Sequence, residues 1–255
     1  MREANPGVSP KDRFLTVYGR NPVLEALSDP ELQVDKVVLA ESARGPQVAE
    51  IRRAAQTGGV PVHTASAHRV KVLAGNGKQD QGVLADVVAP RMRPLAAALQ
   101  DNPAPARVLV LDGITTPANV GMILRTATAA DVAGIVVPRR GVATLDPLVV
   151  KASAGVAFHA PVLRCTGAAE AAELLTEHGY PLFGLTGEHG QDLFRAELPQ
   201  RAAFVLGAET GGITDAVREL VTGWLSIPMP GEVESLNVAS AASVLCFELL
   251  RRDRG

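Results

Sequence analysis

Short apolar runs alternate with stretches of helical periodicity along most of this chain. The runs are continuous, which is typical of strands covered on both faces of a parallel sheet. The periodic stretches carry apolar residues at helix spacing, as Val48, Ile51 and Ala55 do. This order of elements predicts an α/β fold. The predicted strands are 34–40, 60–63, 83–88, 108–111, 135–137, 160–163, 182–185, 203–206 and 224–227. The predicted helices are 23–27, 46–56, 67–73, 95–99, 119–130, 147–153, 168–178, 213–221 and 235–252.

Prolines punctuate the chain between residues 90 and 105 and divide the pattern into two units. A length of 255 residues is sufficient for two domains of ordinary size. We therefore predict a small α/β unit at 14–88, a linker at 89–106 and a larger α/β domain at 107–255. Residues 1–13 are predicted to form a flexible tail.

Composition changes this picture little, because 47% of residues are hydrophobic and 20% are charged, as in ordinary globular proteins. No apolar run approaches the roughly 20 residues of a membrane span, and no signal-peptide core precedes residue 14. We expect a cytoplasmic protein with no membrane partner. Cys165 and Cys246 lie in apolar surroundings, and the five histidines lack ligand spacing, so no metal is expected.

The charge is distributed unevenly between the two halves of the chain. Residues 1–107 hold 14 Lys and Arg against 11 Asp and Glu, whereas residues 108–255 hold 11 against 16. If either half contacts phosphate, the first half is therefore favoured; a solvated basic face is the alternative. The candidate phosphate-binding residues are Arg20, Arg44, Arg52, Arg53, Arg69, Lys71 and Lys78.

Residues 227–250 combine a rigid loop with a buried helix. Pro228 and Pro230 each lack a backbone N–H, so the strand before them must end in an irregular segment. Ser235 and Asn237 are common N-cap types, and the helix after them is apolar nearly all round, which requires burial on several faces. Open α/β sheets bind ligands at such strand ends, although an ordinary turn before a core helix fits as well.

Two further loops follow predicted strands and carry polar residues. Asn119 lies at the start of a helix, and Arg125 lies six residues later among apolar neighbours. Such an arginine must be paired, face a cleft or extend its head to water. Glu209 stands among three glycines, which would let a ligand approach the backbone closely. A carboxylate there could also simply favour the dipole of the next helix.

Several common enzyme classes lack their motifs in this chain. No G-x-G-x-x-G follows a predicted strand, and neither a phosphate-binding G-x-x-x-x-G-K-[ST] nor a G-x-S-x-G elbow is present. Nicotinamide, P-loop and serine-hydrolase chemistries are therefore disfavoured.

Taken together, the three loops resemble the SpoU (TrmH) family of RNA ribose 2′-O-methyltransferases, of the SPOUT class. The first motif of that family corresponds to Pro117, Asn119, Gly121 and Arg125, the second to Gly207, Glu209 and Gly212, and the third to residues 227–238. Thr116 stands where relatives often carry Asp. Residues 14–88 look like the ribosomal-protein-like RNA-binding domain of bacterial 23S rRNA guanosine-2′-O-methyltransferases, through residues 18–22 and 80–83.

This resemblance implies a C-terminal domain whose parallel sheet carries a trefoil knot, with S-adenosylmethionine (AdoMet) bound in the knot. It also implies a homodimer in which Arg125 reaches the AdoMet of the partner chain. The implied cofactor-binding residues are Gly207, Ile227 and Leu236, with their neighbours Ala208, Met229 and Val238. The implied catalytic residues are Arg125, Asn119, Glu209, Ser235 and Asn237.

The identity of the RNA remains open at this point. A guanosine of 23S rRNA is the first expectation, and a tRNA or an rRNA site of antibiotic resistance is the alternative. A non-catalytic RNA-binding protein of the same fold is the alternative from another class; the intact motif residues favour the enzyme.

Overall fold

The computed structural model describes residues 13–74, 80–187, 190–231 and 235–254, which form two β-sheets surrounded by helices. The α/β class is thereby confirmed. Lys78 lies outside the described residues. Within the described part, no helix is long and apolar enough to cross a membrane.

The N-terminal sheet has four strands in the order β1-β4-β2-β3. Strand β4 is antiparallel to β1 and β2, whereas β2 and β3 are parallel, so β1, β2 and β3 end at the same edge. Helices α1, α2 and α3 begin at that edge. The elements are β1 (Phe14–Tyr18), α1 (Arg20–Ser28), β2 (Val34–Ala40), α2 (Pro46–Thr57), β3 (Val62–Ala65), α3 (Ala67–Ala74) and β4 (Val83–Val88).

Three features of this unit differ from the predictions, and one is that β3 spans Val62–Ala65 rather than residues 60–63. Strand β1 was not predicted, because its five residues pair with β4 across 66 to 74 positions and show little pattern of their own. Helix α1 begins at Arg20, three residues before the predicted start. Pro22 fits inside it because the N–H groups of a first helical turn have no intrahelical partner.

The C-terminal sheet has eight parallel strands in the order β10-β12-β9-β11-β6-β7-β8-β5, which confirms the predicted parallel sheet. Its central strands β6 and β11 are buried at every position. The strands are β5 (Arg93–Pro94), β6 (Arg107–Leu111), β7 (Gly134–Val136), β8 (Val162–Arg164), β9 (Leu182–Thr186), β10 (Gln191–Asp192), β11 (Ala202–Leu206) and β12 (Gly223–Ser226). The helices are α4 (Leu95–Ala98), α5 (Pro117–Ala129), α6 (Pro147–Ala152), α7 (Ala168–Glu177), α8 (Asp215–Arg218) and α9 (Val238–Arg254), with a 3-10 turn at Val156–Phe158.

Helix α8 is a single turn inside the predicted range, so the helix is confirmed but the predicted bounds of 213–221 are too long. The side chain of Asp112, at the end of β6, accepts hydrogen bonds from the backbone N–H of Thr214 (2.7 Å) and from its hydroxyl (2.9 Å). These bonds hold Thr214 in an extended conformation, and β12 begins at Gly223. The helix therefore begins at Asp215, two residues after the predicted start.

Residues inside the predicted linker pack as part of the larger domain. Strand β5 pairs with β8 at the sheet edge, and Leu95, Ala98 and Leu99 are buried in the core on one face of the large sheet. A second apolar cluster is continuous between the N-terminal unit and the opposite face of the large sheet. The hydroxyl of Tyr18 also donates to Asp146 at the start of α6 (3.3 Å). The two units are therefore docked against each other.

Helix α9 begins at Val238 rather than at 235, and it packs mainly against α5. The inner face of this apolar helix is buried, through Val238, Ala239, Ala242, Leu245 and Leu249. What remains open is a narrower strip around Phe247, which is 50% exposed.

Candidate active site

A cleft of about 1150 Å³ opens at the carboxyl ends of β9, β11 and β12, which are neighbours in the sheet. This is the usual ligand position in an open parallel sheet. All six residues proposed to bind the cofactor line it, together with Glu209, Ser235 and Asn237. The lining residues are Leu185, Thr186, Gly187, Leu206, Gly207, Ala208, Glu209, Gly212, Ile213, Arg218, Trp224, Ile227, Met229, Ser235, Leu236, Asn237, Val238 and Ala241.

The floor of the cleft is a tight turn after β11. Ala208 and Gly212 exchange two backbone hydrogen bonds of 2.9 Å, which close the turn and leave Glu209 near its tip. A Cβ on Gly207 would lie 2.3 Å from the carbonyl carbon of Gly212. Gly207 is therefore required because the chain packs on itself here, whereas the glycine pattern had suggested close approach of a ligand.

Three side chains from the three motif segments meet beside this turn. Asn119 donates through Nδ2 to Oε1 of Glu209 (3.2 Å). Asn237 donates through Nδ2 to the same carboxylate oxygen (2.5 Å) and to Oδ1 of Asn119 (3.1 Å). The carboxylate therefore receives two amide N–H groups, which fixes the orientation of both asparagines. We refer to Asn119, Glu209 and Asn237 as the polar triangle.

Asn237 also caps helix α9. Its Oδ1 accepts from the backbone N–H of Ala239 (2.9 Å) and, more weakly, of Ser240 (3.4 Å), as the N-cap prediction required. One side chain thus closes the last helix and joins the polar triangle. Ser235, two residues earlier, is exposed on the cleft wall.

Arg125 stands apart from the polar triangle within one chain. It is exposed and does not line the cleft, whereas Asn119 is buried. Six residues of α-helix separate the two by about 9 Å along the axis and about 240° around it. Of the alternatives left open by the sequence, the exposed head is the one observed, and among the described residues it forms no ion pair.

Gly121, the glycine of the first motif, sets the spacing between α5 and α6. A Cβ there would lie 2.5 Å from Cβ of Ala152 and 2.7 Å from the carbonyl oxygen of Val149. The glycine therefore permits close packing of the helix that carries Asn119 and Arg125.

Sequence reasoning missed several residues around the cleft. Asp112 is buried at the end of β6 and positions Thr214; its place directly after an apolar strand was the available signal. Thr186, Arg218 and Trp224 line the cleft. Nothing local marked them, because the adjacency of β9, β11 and β12 is a property of the sheet.

The candidate phosphate-binding residues of the N-terminal unit lie on or near its helices. Arg20 is the first residue of α1 and is half-buried. Its Nη1 lies close to Gly45 at the start of α2, 3.6 Å from where a Cβ on that glycine would be. Arg44 donates to the carbonyl oxygens of Glu41 and Ala43 in its own loop. The exposed candidates are Arg44, Arg52, Arg53, Arg69 and Lys71.

The two cysteines lie outside the cleft. Burial raises the pKa of both Cys165 and Cys246 to about 12, so both thiols stay protonated. Among the described residues, no cluster of His, Cys, Asp or Glu could hold a metal ion.

The model of the SpoU rRNA Methylase family matches residues 106–247, and a model described as RNA 2′-O ribose methyltransferase substrate binding matches residues 16–93. The chain belongs to the SpoU rRNA methylase family. The resemblance drawn from the motifs is thereby confirmed. A curated relative, the 23S rRNA (guanosine-2′-O-)-methyltransferase RlmB of Xanthomonas axonopodis pv. citri, is 34% identical over 94% of this chain and 97% of its own length.

Two solved structures are similar to this chain over most of its length. A TrmH-family protein from Porphyromonas gingivalis is 29% identical, with a TM-score of 0.64 over 95% of this chain and 91% of its own. The SpoU methyltransferase AviRb from Streptomyces viridochromogenes, in complex with AdoMet, has a TM-score of 0.62 over 95% of this chain and 92% of its own. At 24% identity, the second likeness concerns the fold alone.

Proposed function

We propose that this protein transfers a methyl group from AdoMet to a ribose 2′-hydroxyl of RNA, and that the nucleotide is a guanosine of 23S rRNA. One observation carries the proposal: in a SpoU-family chain, the second and third motif segments line one cleft at the carboxyl ends of the parallel strands, and Asn119 of the first motif is hydrogen-bonded to Glu209 and Asn237 of that lining. The Xanthomonas relative supports the guanosine and the 23S rRNA. We expect the reaction to take place in the cytoplasm.

The cleft suits AdoMet in both size and chemistry. Its volume of about 1150 Å³ is ample for a ligand of that size. Leu236 is apolar yet 37% exposed in the cleft, and together with Ile227 and Met229 it offers apolar surface for the faces of an adenine ring. The backbone of the closed turn offers fixed polar groups for the ring edge, and the carboxylate of Glu209 complements positive charge.

When bound, AdoMet supplies a methyl group carried on a positively charged sulfur. In the transfer, the ribose oxygen would form the new bond to the methyl carbon as the carbon–sulfur bond breaks. The electrons of that bond would stay on the sulfur of the departing S-adenosylhomocysteine, and the hydroxyl proton would pass to solvent. The protein contributes mainly orientation. The polar triangle holds its three side chains in one arrangement, and Ser235 on the cleft wall is placed to hydrogen-bond the ribose or the cofactor.

Arg125 is the proposed electrostatic stabiliser of the ribose oxygen. A guanidinium does not release its proton in proteins, so it stabilises the developing alkoxide as a cation. Its position, exposed and away from the cleft of its own chain, supports a site shared between the two chains of a homodimer. The apolar residues Met122 and Phe247, on the paired helices α5 and α9, are 41% and 50% exposed and are available to such an interface.

The trefoil knot is also part of this proposal. Strand β12 lies beyond β9, whereas α9 packs on α5, which follows β6 on the other side of β11. The described residues between β12 and α9 that line the cleft, Ile227, Met229 and 235–237, lie with the Ala208–Gly212 turn, which supports a path across the ends of β9 and β11. A crystal structure that traces residues 207–238 continuously tests the threading.

Complementation tests the shared site. Arg125→Ala and Leu236→Arg should each be inactive as homodimers, the first for chemistry and the second because a charged side chain fills the cleft. Mixed and refolded together, they should form heterodimers with one intact site. Random pairing makes about half of the dimers mixed, so activity should recover to at most roughly a quarter of wild type. If no mixture of the two variants recovers activity, each chain uses its own Arg125.

The N-terminal unit is proposed to bind the RNA, which its family model supports. Calorimetry with AdoMet, followed by methylation of 23S rRNA transcripts and of tRNA, tests the proposal as a whole. We expect AdoMet binding without added metal and methylation of the rRNA in preference to tRNA. Binding of RNA but not of AdoMet would instead indicate a non-catalytic RNA-binding protein.

A further inference from the structure

The cleft contains a cation that the motifs do not account for. Among its described lining residues, Arg218 is the single Lys or Arg and Glu209 is the single carboxylate. Glu209 belongs to the polar triangle and is bonded to two asparagines. Arg218, the last residue of α8, has no counterpart in the three motif segments.

The guanidinium of Arg218 is held in place but keeps its hydrogen-bonding capacity. Its Cζ lies 5.2 Å from the ring centroid of Trp224, which is within cation–π range. Its Nη2 lies 3.9 Å from the position of a Cβ on Gly212, so it borders the turn that carries Glu209. Among the described residues it forms no ion pair. The ring therefore orients the guanidinium and leaves its N–H groups available to a ligand.

We propose that Arg218 binds the carboxylate of the methionine moiety of AdoMet. This inference rests on the proposed function. At neutral pH the cofactor carries two positive groups, the sulfonium and the ammonium, and one negative group, the carboxylate. The described lining of the cleft offers one negative and one positive side chain, and a guanidinium matches a carboxylate with two parallel N–H donors. Pairing of the cofactor carboxylate with Arg218 leaves Glu209 to face the positive groups.

A phosphate of the RNA is the other anion that could reach this guanidinium. The two sources can be separated without RNA, because analogues of the cofactor with and without the carboxylate exist. S-Adenosylhomocysteine keeps the carboxylate and lacks the sulfonium charge. 5′-Methylthioadenosine keeps the adenosine and the sulfur but lacks both the carboxylate and the ammonium.

The experiment measures the dissociation constants of AdoMet, S-adenosylhomocysteine and 5′-methylthioadenosine by calorimetry, with wild type, Arg218→Met and Arg218→Lys. Trp224 is the one tryptophan of the chain and lines the cleft, so its fluorescence gives a second, local readout of occupancy. Arg195→Met is the matched control, because the Arg195 side chain is 88% exposed and lies outside this cleft. Circular dichroism confirms that each variant is folded.

For Arg218→Met we expect about tenfold weaker binding of AdoMet and S-adenosylhomocysteine, the size of one charge-assisted hydrogen bond at an exposed site. Binding of 5′-methylthioadenosine should stay unchanged. Arg218→Lys should lose less, and Arg195→Met nothing. Equal weakening for all three ligands would overturn the assignment, because it would indicate a structural role. Unchanged affinity for all three ligands would also overturn it, and would leave an RNA phosphate as the anion that Arg218 contacts. A wild type that binds no AdoMet would overturn the proposed function itself, and this inference with it.

Discussion

Replacement of Asn237 by Asp tests the polar triangle, because it exchanges only the side-chain NH2 group for a carboxylate oxygen. The aspartate keeps the oxygen that caps α9, since Oδ1 of Asn237 accepts from Ala239 and Ser240. It loses the Nδ2 donor that serves Glu209 and Asn119, and it places a second carboxylate beside Glu209. The variant therefore separates the capping role from the role in the triangle.

The expected loss of folding stability follows from the distance between the two carboxylates. Two carboxylates that relax to about 4 Å repel by about 1 kcal/mol in water and about 4 kcal/mol at an effective dielectric constant of 20. Glu209 and Asn237 are both exposed, so the lower part of that range applies. Loss of the donated hydrogen bonds adds about 1 kcal/mol, and a charge at the helix N-terminus returns about 0.5 kcal/mol. The net destabilisation at pH 7.5 is about 2 kcal/mol, or roughly thirtyfold in the folding equilibrium.

The assay is urea unfolding at pH 7.5 and pH 5.0, compared with Asn237→Ser, which keeps a capping oxygen without the charge. Repulsion by Glu209 raises the folded-state pKa of an aspartate at 237 above its unfolded value. Its destabilising effect is therefore present above the folded pKa and is relieved as the pH falls below it. Asn237→Asp should recover part of its stability at pH 5.0, whereas the serine variant should not. Adding Glu209→Gln should also rescue the aspartate, and identical behaviour of both variants would refute the triangle.

Other predictions follow from single contacts. Gly121→Ala should destabilise the fold by about 1–3 kcal/mol in urea unfolding, because the added Cβ has no room against α6, even though Ala has the better helix propensity. Gly211→Ala is the control and should be nearly neutral, because a Cβ there meets nothing within 4 Å. Equal effects of the two substitutions would contradict the packing argument. Hydrogen bonds from Arg251 and Arg252 lower the pKa of buried Glu248 from 4.5 to about 2. The ionised carboxylate therefore stabilises the fold above about pH 4.5 by at most roughly 3 kcal/mol, and this contribution is lost as the pH falls toward 2. Unfolding of Glu248→Gln should accordingly depend less on pH than wild type between pH 5 and pH 2, and equal slopes would count against the ion cluster. Replacement of both Arg52 and Arg53 by Gln should reduce RNA affinity and make the slope of log affinity against log salt shallower by about one to two; an unchanged slope would remove these residues from the RNA surface.

The sequence was most informative where a segment carries its own pattern. Continuous apolar runs located the central strands, including β6 and β11, because strands covered on both faces exclude polar residues. Helix α2 was located almost to the residue by the spacing of its apolar residues. The three motif segments could be assigned to one family because their residues and spacing are unusual.

Features that depend on pairing between distant segments could not be predicted. Asn237 and Asn119 are separated by 118 positions, and their hydrogen bond follows from the course of the chain across the sheet. The two-residue strands β5 and β10 are too short to show a period. The inner face of α9 is covered by α5, which no property of the helix sequence itself revealed.

Glycines illustrate the same limit most clearly. Gly121 and Gly207 were recognised as motif positions, yet the physical need for them is steric and lies in partner segments, at Ala152 and Gly212. A pattern can thus identify the residue while leaving its role to the structure.

The central claim, that this chain methylates a guanosine 2′-hydroxyl of 23S rRNA, is tested most directly by mapping 2′-O-methylation across the rRNA and tRNA of a deletion strain. Complementation with wild type and with Arg125→Ala provides the matched comparison. The account predicts that one 23S rRNA guanosine loses its methyl group on deletion, regains it with wild type and does not regain it with Arg125→Ala. An unchanged rRNA methylation map, or loss of a methyl group from tRNA alone, would contradict it.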